Sequence, residues 1–133
     1  MRDRSPKYLV DKDLGPELAR VLRALGLDAH HLLELGFVEK TPDEEWMSAI
    51  GEEGRCFISR DLGIRNNPVL RAALKRHQVG AFFLSGHHLA SRELIEQAVA
   101  ANRMIEEKAM NARKPFIFIV RRGGRKLIPV PLD

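Results

Sequence analysis

Three aspartates stand where apolar segments give way to loops or helices. Asp11 follows Tyr8-Leu9-Val10, Asp61 follows Cys56-Phe57-Ile58-Ser59-Arg60, and Asp43 opens a helical stretch between them. If the apolar segments are strands of one α/β sheet, such positions gather along one sheet edge, where ligands bind. Carboxylates brought together there repel one another unless a cation or a proton intervenes. The chemistry that suits them is coordination of Mg²⁺ or Mn²⁺, and a phosphate ester is the usual substrate of such a site.

Other residues stand beside these acids. Ser59 alternates away from Arg60 and shares a side with Asp61, so its hydroxyl is placed to orient a carboxylate or a bound water. Asp13 precedes a helix, where the dipole favours an acid, and Glu44 reads as the partner of Thr41 in a capping box. Arg60 and Arg65 lie next to the third acid, and Arg65 is placed to grip a phosphate through paired hydrogen bonds. Arg71, Lys75 and Arg76 read as a solvated helix face. Arg121, Arg122, Arg125 and Lys126 flank a Gly-Gly turn, either to track a nucleic-acid backbone or to shield a sheet edge. The pairs His30-His31 and His87-His88 point in divergent directions on strands, and His77 reads as an inner-face helix residue, so none is assigned a metal. No Gly-rich phosphate loop or nucleophile elbow occurs.

The elements that must position these groups follow from periodicity. Lys7 to Asp11 reads as a short buried strand, and Leu18, Val21, Leu22 and Leu25 recur at helical spacing before Gly26. Ala29 to Leu35 reads as a second strand. Thr41-Pro42 starts a helix with Trp46, Ala49 and Ile50 on its apolar face, and Arg55 to Arg60 form a third strand. Asn67-Pro68 starts another helix, followed by a strand over Ala81 to Leu84. Ser91 is placed to cap the longest helix, whose inner stripe is Leu94, Ala98, Ala101, Ile105 and Ala109. Phe116 to Val120 is a strongly apolar strand, and Gly123-Gly124 suits a two-residue turn into Leu127 to Val130. Strict β-α alternation implies a largely parallel sheet flanked by helices.

At 133 residues, 44% hydrophobic and 30% charged, the chain fits one soluble globular domain. The lone Cys56 excludes an internal disulfide and reads as a small core residue. The charged stretch Met1 to Lys7 lacks the apolar run of a signal peptide, and no apolar run approaches the roughly 20 residues of a membrane span, so no membrane role and a cytoplasmic location are expected. A net charge of +4 favours a polyanionic partner. Only 6% of residues are aromatic, which argues for recognition through backbone charge rather than base stacking.

Taken together, Leu9-Val10-Asp11-Lys12-Asp13-Leu14-Gly15-Pro16, Thr41-Pro42-Asp43-Glu44-Glu45-Trp46 and Ile58-Ser59-Arg60-Asp61, continuing through Ile64-Arg65 to Asn67-Pro68, resemble a PIN-like domain family. Its members include VapC-type ribonuclease toxins of bacterial toxin–antitoxin pairs. The resemblance runs from Tyr8 to about Leu132. It implies a single domain over residues 1–133, a three-layer α/β/α fold with a mostly parallel central sheet and a C-terminal hairpin strand. It also implies a metal-dependent endoribonuclease, with Asp11, Asp43 and Asp61 holding Mg²⁺ or Mn²⁺. Ser59 matches the small hydroxyl residue two positions before the last acid; Asp13 and Glu44 become supporting groups, and Arg60 and Arg65 contacts to RNA phosphate. RNA and a cognate antitoxin are the implied partners, and the exposed terminal strand leaves a homodimer open. A fourth acid, frequent late in classical PIN domains, is not assigned to any residue here, which leaves either a three-acid site or a weakened one. Two alternatives stand beside this reading: a catalytically silent PIN-like binding module, and a receiver-like phosphoacceptor domain. Against the second, Lys114-Pro115 precedes the last central strand, and the terminal hairpin is foreign to receivers.

Overall fold

The structure is a computed structural model that describes residues 6–38, 40–60, 66–86 and 89–132. Its strands are β1 (Lys7–Val10), β2 (Asp28–His31), β3 (Arg55–Arg60), β4 (Gly80–Leu84), β5 (Phe116–Val120) and β6 (Leu127–Val130). Its helices are α1 (Pro16–Ala24), α2 (Asp43–Glu53), α3 (Pro68–His77) and α4 (Ser91–Asn111). The strands form one sheet in the order β2-β1-β3-β4-β5-β6. The first five are parallel and β6 pairs antiparallel with β5.

Alternation along the strands builds the three layers. Tyr8, Val10, Cys56, Ile58, Phe82, Leu84, Phe116 and Phe118 pack with residues of α1 and α4 on one face. Leu9, Phe57, Ala81, Phe83 and Ile117 pack with α2 and α3 on the other. Strands covered on both faces carry unbroken apolar runs, which is why β4 and β5 read Gly-Ala-Phe-Phe-Leu and Phe-Ile-Phe-Ile-Val. Phe82 meets Phe116 edge-on at 5.3 Å and stacks on Phe118 at 6.0 Å, contacts worth about 0.5–1.5 kcal/mol each beyond area burial. The Phe116 ring lies across Gly80, where a Cβ would fall 2.1 Å from its Cζ. Burial pushes the Cys56 thiol up to about 11, so it stays neutral in the core.

The connections fix where the carboxyl edge opens. α1 carries the chain from β1 to β2 on one face, and α2 returns it past β1 to β3 on the other. The β1/β3 junction is therefore a switch point, where a crevice opens beyond the strand ends. The β4-α4-β5 connection advances across the sheet in the same direction as β3-α3-β4 but on the opposite face, so the two have opposite hands. Given the general preference for right-handed crossovers, the α4 connection is the exceptional one.

Four local expectations are corrected. β2 stops at His31, and Leu32–Leu35 form a 3-10 turn. There His31 Nδ1 accepts from the Leu33 amide at 3.3 Å, and the Glu34 carboxylate accepts from the His31 amide at 2.8 Å. Thr41 and Glu44 form no capping box: Thr41 Oγ1 accepts from the Val38 amide at 3.0 Å, and the α2 N-cap is Pro42. Ser91 is the first residue of α4 rather than its cap. The β5–β6 loop is six residues long, Arg121 to Lys126, closed by a 2.9 Å bond from the Arg121 amide to the Lys126 carbonyl. Asn67 does cap α3, accepting from the Val69 and Leu70 amides at 2.8 and 3.3 Å.

Candidate functional site

Asp11 is the first residue beyond β1, at the switch point. Its amide continues the ladder to β3 with a 2.9 Å bond to the Ile58 carbonyl, which sets it opposite Ser59. The Asp11 side chain is 8% exposed and that of Ser59 is fully buried. Ser59 Oγ donates to Asp11 Oδ2 at 2.8 Å, and the Lys12 amide donates to Oδ1 at 2.7 Å. The carboxyl nevertheless stands above its ordinary pKa. Burial is the largest cause, the Ser59 hydrogen bond opposes it, and the charges of Asp13 and Asp43 raise it further. Asp11 is therefore a fixed, partly desolvated carboxyl with two further acids near it.

Asp43 sits in the first turn of α2, exposed to solvent. Its Oδ1 accepts from Trp46 Nε1 at 3.1 Å, and the Trp46 ring packs on Phe57 of β3 with centroids 4.8 Å apart. That indole ties the α2 carboxylate to the strand that carries Ser59. Asp13 lies in a 3-10 turn over Lys12–Leu14, near enough for its charge to act on Asp11. Asp61 and Arg65 lie outside the described residues, as do His87 and His88.

The remaining candidates fall elsewhere. Glu44 is held by Arg76 and His77 of α3, each at 2.6 Å, and first Arg76, then His77, pulls its carboxyl below the ordinary value. The Arg60 guanidinium donates to the Leu89 carbonyl in the segment after β4. Gln97 is not among the residues expected from sequence. It is 2% exposed, and its Nε2 donates to the carbonyls of Ser85 at 3.1 Å and Val120 at 2.9 Å, fastening the ends of β4 and β5 to α4. Its signal in the sequence is a lone polar residue in an apolar helix stripe.

Residues 6–86, well over half of the 133-residue chain, match the family described as PIN like domain. The chain belongs to the PIN-like domain family. No curated protein and no solved structure matches it. The matched segment of this PIN-like domain contains Asp11, Asp13, Asp43, Ser59 and Asp61, and ends at the exit from β4. PIN-like domains carry a nuclease-type fold and typically use divalent metal ions.

Asp11 and Asp43 fit such an ion. Both offer the hard oxygen donors that Mg²⁺ and Mn²⁺ take. Each Asp11 oxygen accepts one hydrogen bond and so keeps acceptor capacity. A cation would offset both the burial of the Asp11 carboxylate, which is the main cause of its raised pKa, and the added repulsion from Asp13 and Asp43. Among the described residues no group of three or more His, Cys, Asp or Glu is placed to hold a metal ion, and Asp61 is outside them. Among the described residues, too, no helix is long and apolar enough to cross a membrane.

Proposed function

We propose that this PIN-like domain, acting as one unit over residues 1–133, is a divalent-metal-dependent endoribonuclease whose ion is held by Asp11, Asp43 and Asp61. The observation that carries the proposal is the Asp11 carboxyl at the switch point, clamped by Ser59 and raised first by its burial and then by the charges of Asp13 and Asp43. Bound Mg²⁺ or Mn²⁺ supplies Lewis acidity, making a water acidic enough to attack a phosphodiester near neutral pH. The chain's own residues do the positioning. Ser59 fixes the Asp11 carboxylate, and Trp46 fixes that of Asp43. Arg60, the last residue of β3, and Arg65 hold flanking phosphates in this reading, while Asp13 adds negative charge that favours a cation.

The finer reading is a cytoplasmic toxin, with a cognate antitoxin covering the acidic edge. Its support is the resemblance to VapC-type toxins. A short neighbouring gene encoding a DNA-binding helix-turn-helix is the expected companion.

The test is cleavage of labelled RNA by the purified chain. Asp11→Asn keeps an oxygen acceptor for Ser59 while removing the charge, so its fold should persist. The expected result is Mn²⁺-dependent cleavage that EDTA stops and that Asp11→Asn and Asp61→Asn each reduce at least about 100-fold, roughly 2.7 kcal/mol of barrier. Undiminished cleavage by both variants rejects the assignment. RNA binding without ion-dependent cleavage is what the silent-module alternative predicts.

A further inference from the structure

The chain's net positive charge lies entirely after residue 86. Residues 1–86 carry thirteen Lys and Arg against thirteen Asp and Glu, whereas residues 87–133 carry nine against five. Four of those nine, Arg121, Arg122, Arg125 and Lys126, belong to the β5–β6 turn. All four are exposed, and none is in an ion pair among the described residues. Arg23, Arg55 and Arg76 are instead paired with Glu34, Asp28 and Glu44 at 2.9, 2.9 and 2.6 Å.

The turn is on the edge that carries the acids. β5 runs parallel to β1 and β3, so the residues beyond Val120 leave the sheet on the same side as Asp11. Three strand spacings separate β1 from β5, about 14 Å. Between them, Arg60 bonds to the Leu89 carbonyl, and the Arg122 stem lies 3.6 Å from the position of a Cβ on Gly86. Leu89, Gln97 and Arg122 line a cleft of about 390 Å³ with Glu93 and Glu96 on its α4 side. Those two carboxylates favour phosphates on the turn rather than inside the cleft.

The turn is also held in place. Gly124 has φ +69°, and a Cβ there would fall 2.4 Å from the Gln97 carbonyl oxygen and 2.8 Å from Ala100 Cβ. The glycine thus lets the turn lie directly on α4, and Gln97 secures the end of β5 beside it. The four cations stand on a docked platform. Of the aromatic residues all but Phe37 are buried, and Phe37 packs on the α2–α3 face away from the turn, which leaves charge as the means of holding RNA there.

We propose that the β5–β6 turn is a second anchor for the substrate. A single-stranded RNA lies across the carboxyl edge, with one phosphodiester at Asp11 and further phosphates on Arg121, Arg122, Arg125 and Lys126. This rests on the ribonuclease reading and extends it to residues outside the family-matched segment.

Fluorescence anisotropy with a labelled single-stranded oligoribonucleotide, in EDTA so that nothing is cut, tests it. The variant Arg122→Gln/Arg125→Gln/Lys126→Gln is compared with Lys7→Gln/Arg20→Gln/Arg113→Gln, which removes the same charge from exposed positions off this edge. Circular dichroism confirms that both fold. The turn variant should bind at least about tenfold more weakly than the control variant, and the slope of log K against log salt should fall by about 2, near 0.7 for each lost phosphate contact. Affinity and slope equal to those of the control variant overturn the proposal. Turn-dependent binding by a wild type that never cleaves in Mn²⁺ overturns the nuclease reading and leaves the anchor. Cleavage with turn-independent binding does the reverse.

Discussion

Ser59 opposes the burial that raises Asp11. The Asp11 carboxyl is raised in the folded protein, so its contribution to stability is present below the unfolded pKa and lost as pH rises through the folded one. Ion binding needs the carboxylate and therefore weakens as pH falls through the same folded value. Ser59→Ala removes a bond that lowers this pKa, so the acid limb of the cleavage profile should move to higher pH, with a stability cost of about 1–3 kcal/mol. A pH–rate profile checks it, and an unmoved acid limb contradicts it. Strand alternation in the sequence put Ser59 on the side of Asp61, which lies outside the described residues, whereas the bond to Asp11 comes from the pairing of β1 with β3. The partners of Glu44 were not legible, because Arg76 and His77 are 32 and 33 residues away and local spacing suggested a cap instead.

The elements were legible wherever periodicity decides them, as in β3 over Arg55–Arg60 and β5 over Phe116–Val120. They were not where a side chain competes for the backbone or where a distant helix shapes a loop. His31 and Glu34 capture amides that would have extended β2, and a short apolar run such as Leu32 to Leu35 does not by itself separate strand from turn. The Gly-Gly pair serves a six-residue loop because Gly124 must lie against α4. Gln97 joins three elements through one amide group. Gln97→Leu leaves the carbonyls of Ser85 and Val120 without that donor and should cost about 1–3 kcal/mol. Urea unfolding measures this, and an unchanged midpoint would show that the carbonyls find other partners.

Across the whole molecule, two regions divide the work. The family-matched residues 6–86 supply the switch point and its acids, while the following segment supplies the net charge and, through the reversed α4 crossover, the helix on which the basic turn rests. The β-α alternation foretold the layers, but the hand of that crossover is a tertiary choice that no local pattern encodes. The central claim is that acids at the β1/β3 crevice hold a divalent ion. An ion that binds only the folded state stabilises it, by about 2.7 kcal/mol when present at roughly 100 times its Kd. The most direct measurement is thermal unfolding with and without Mn²⁺ for the wild type and for Asp11→Asn, Asp43→Asn and Asp61→Asn. The wild type should gain several degrees and each variant lose most of that gain; equal gains in all four proteins, or none in the wild type, would contradict the account.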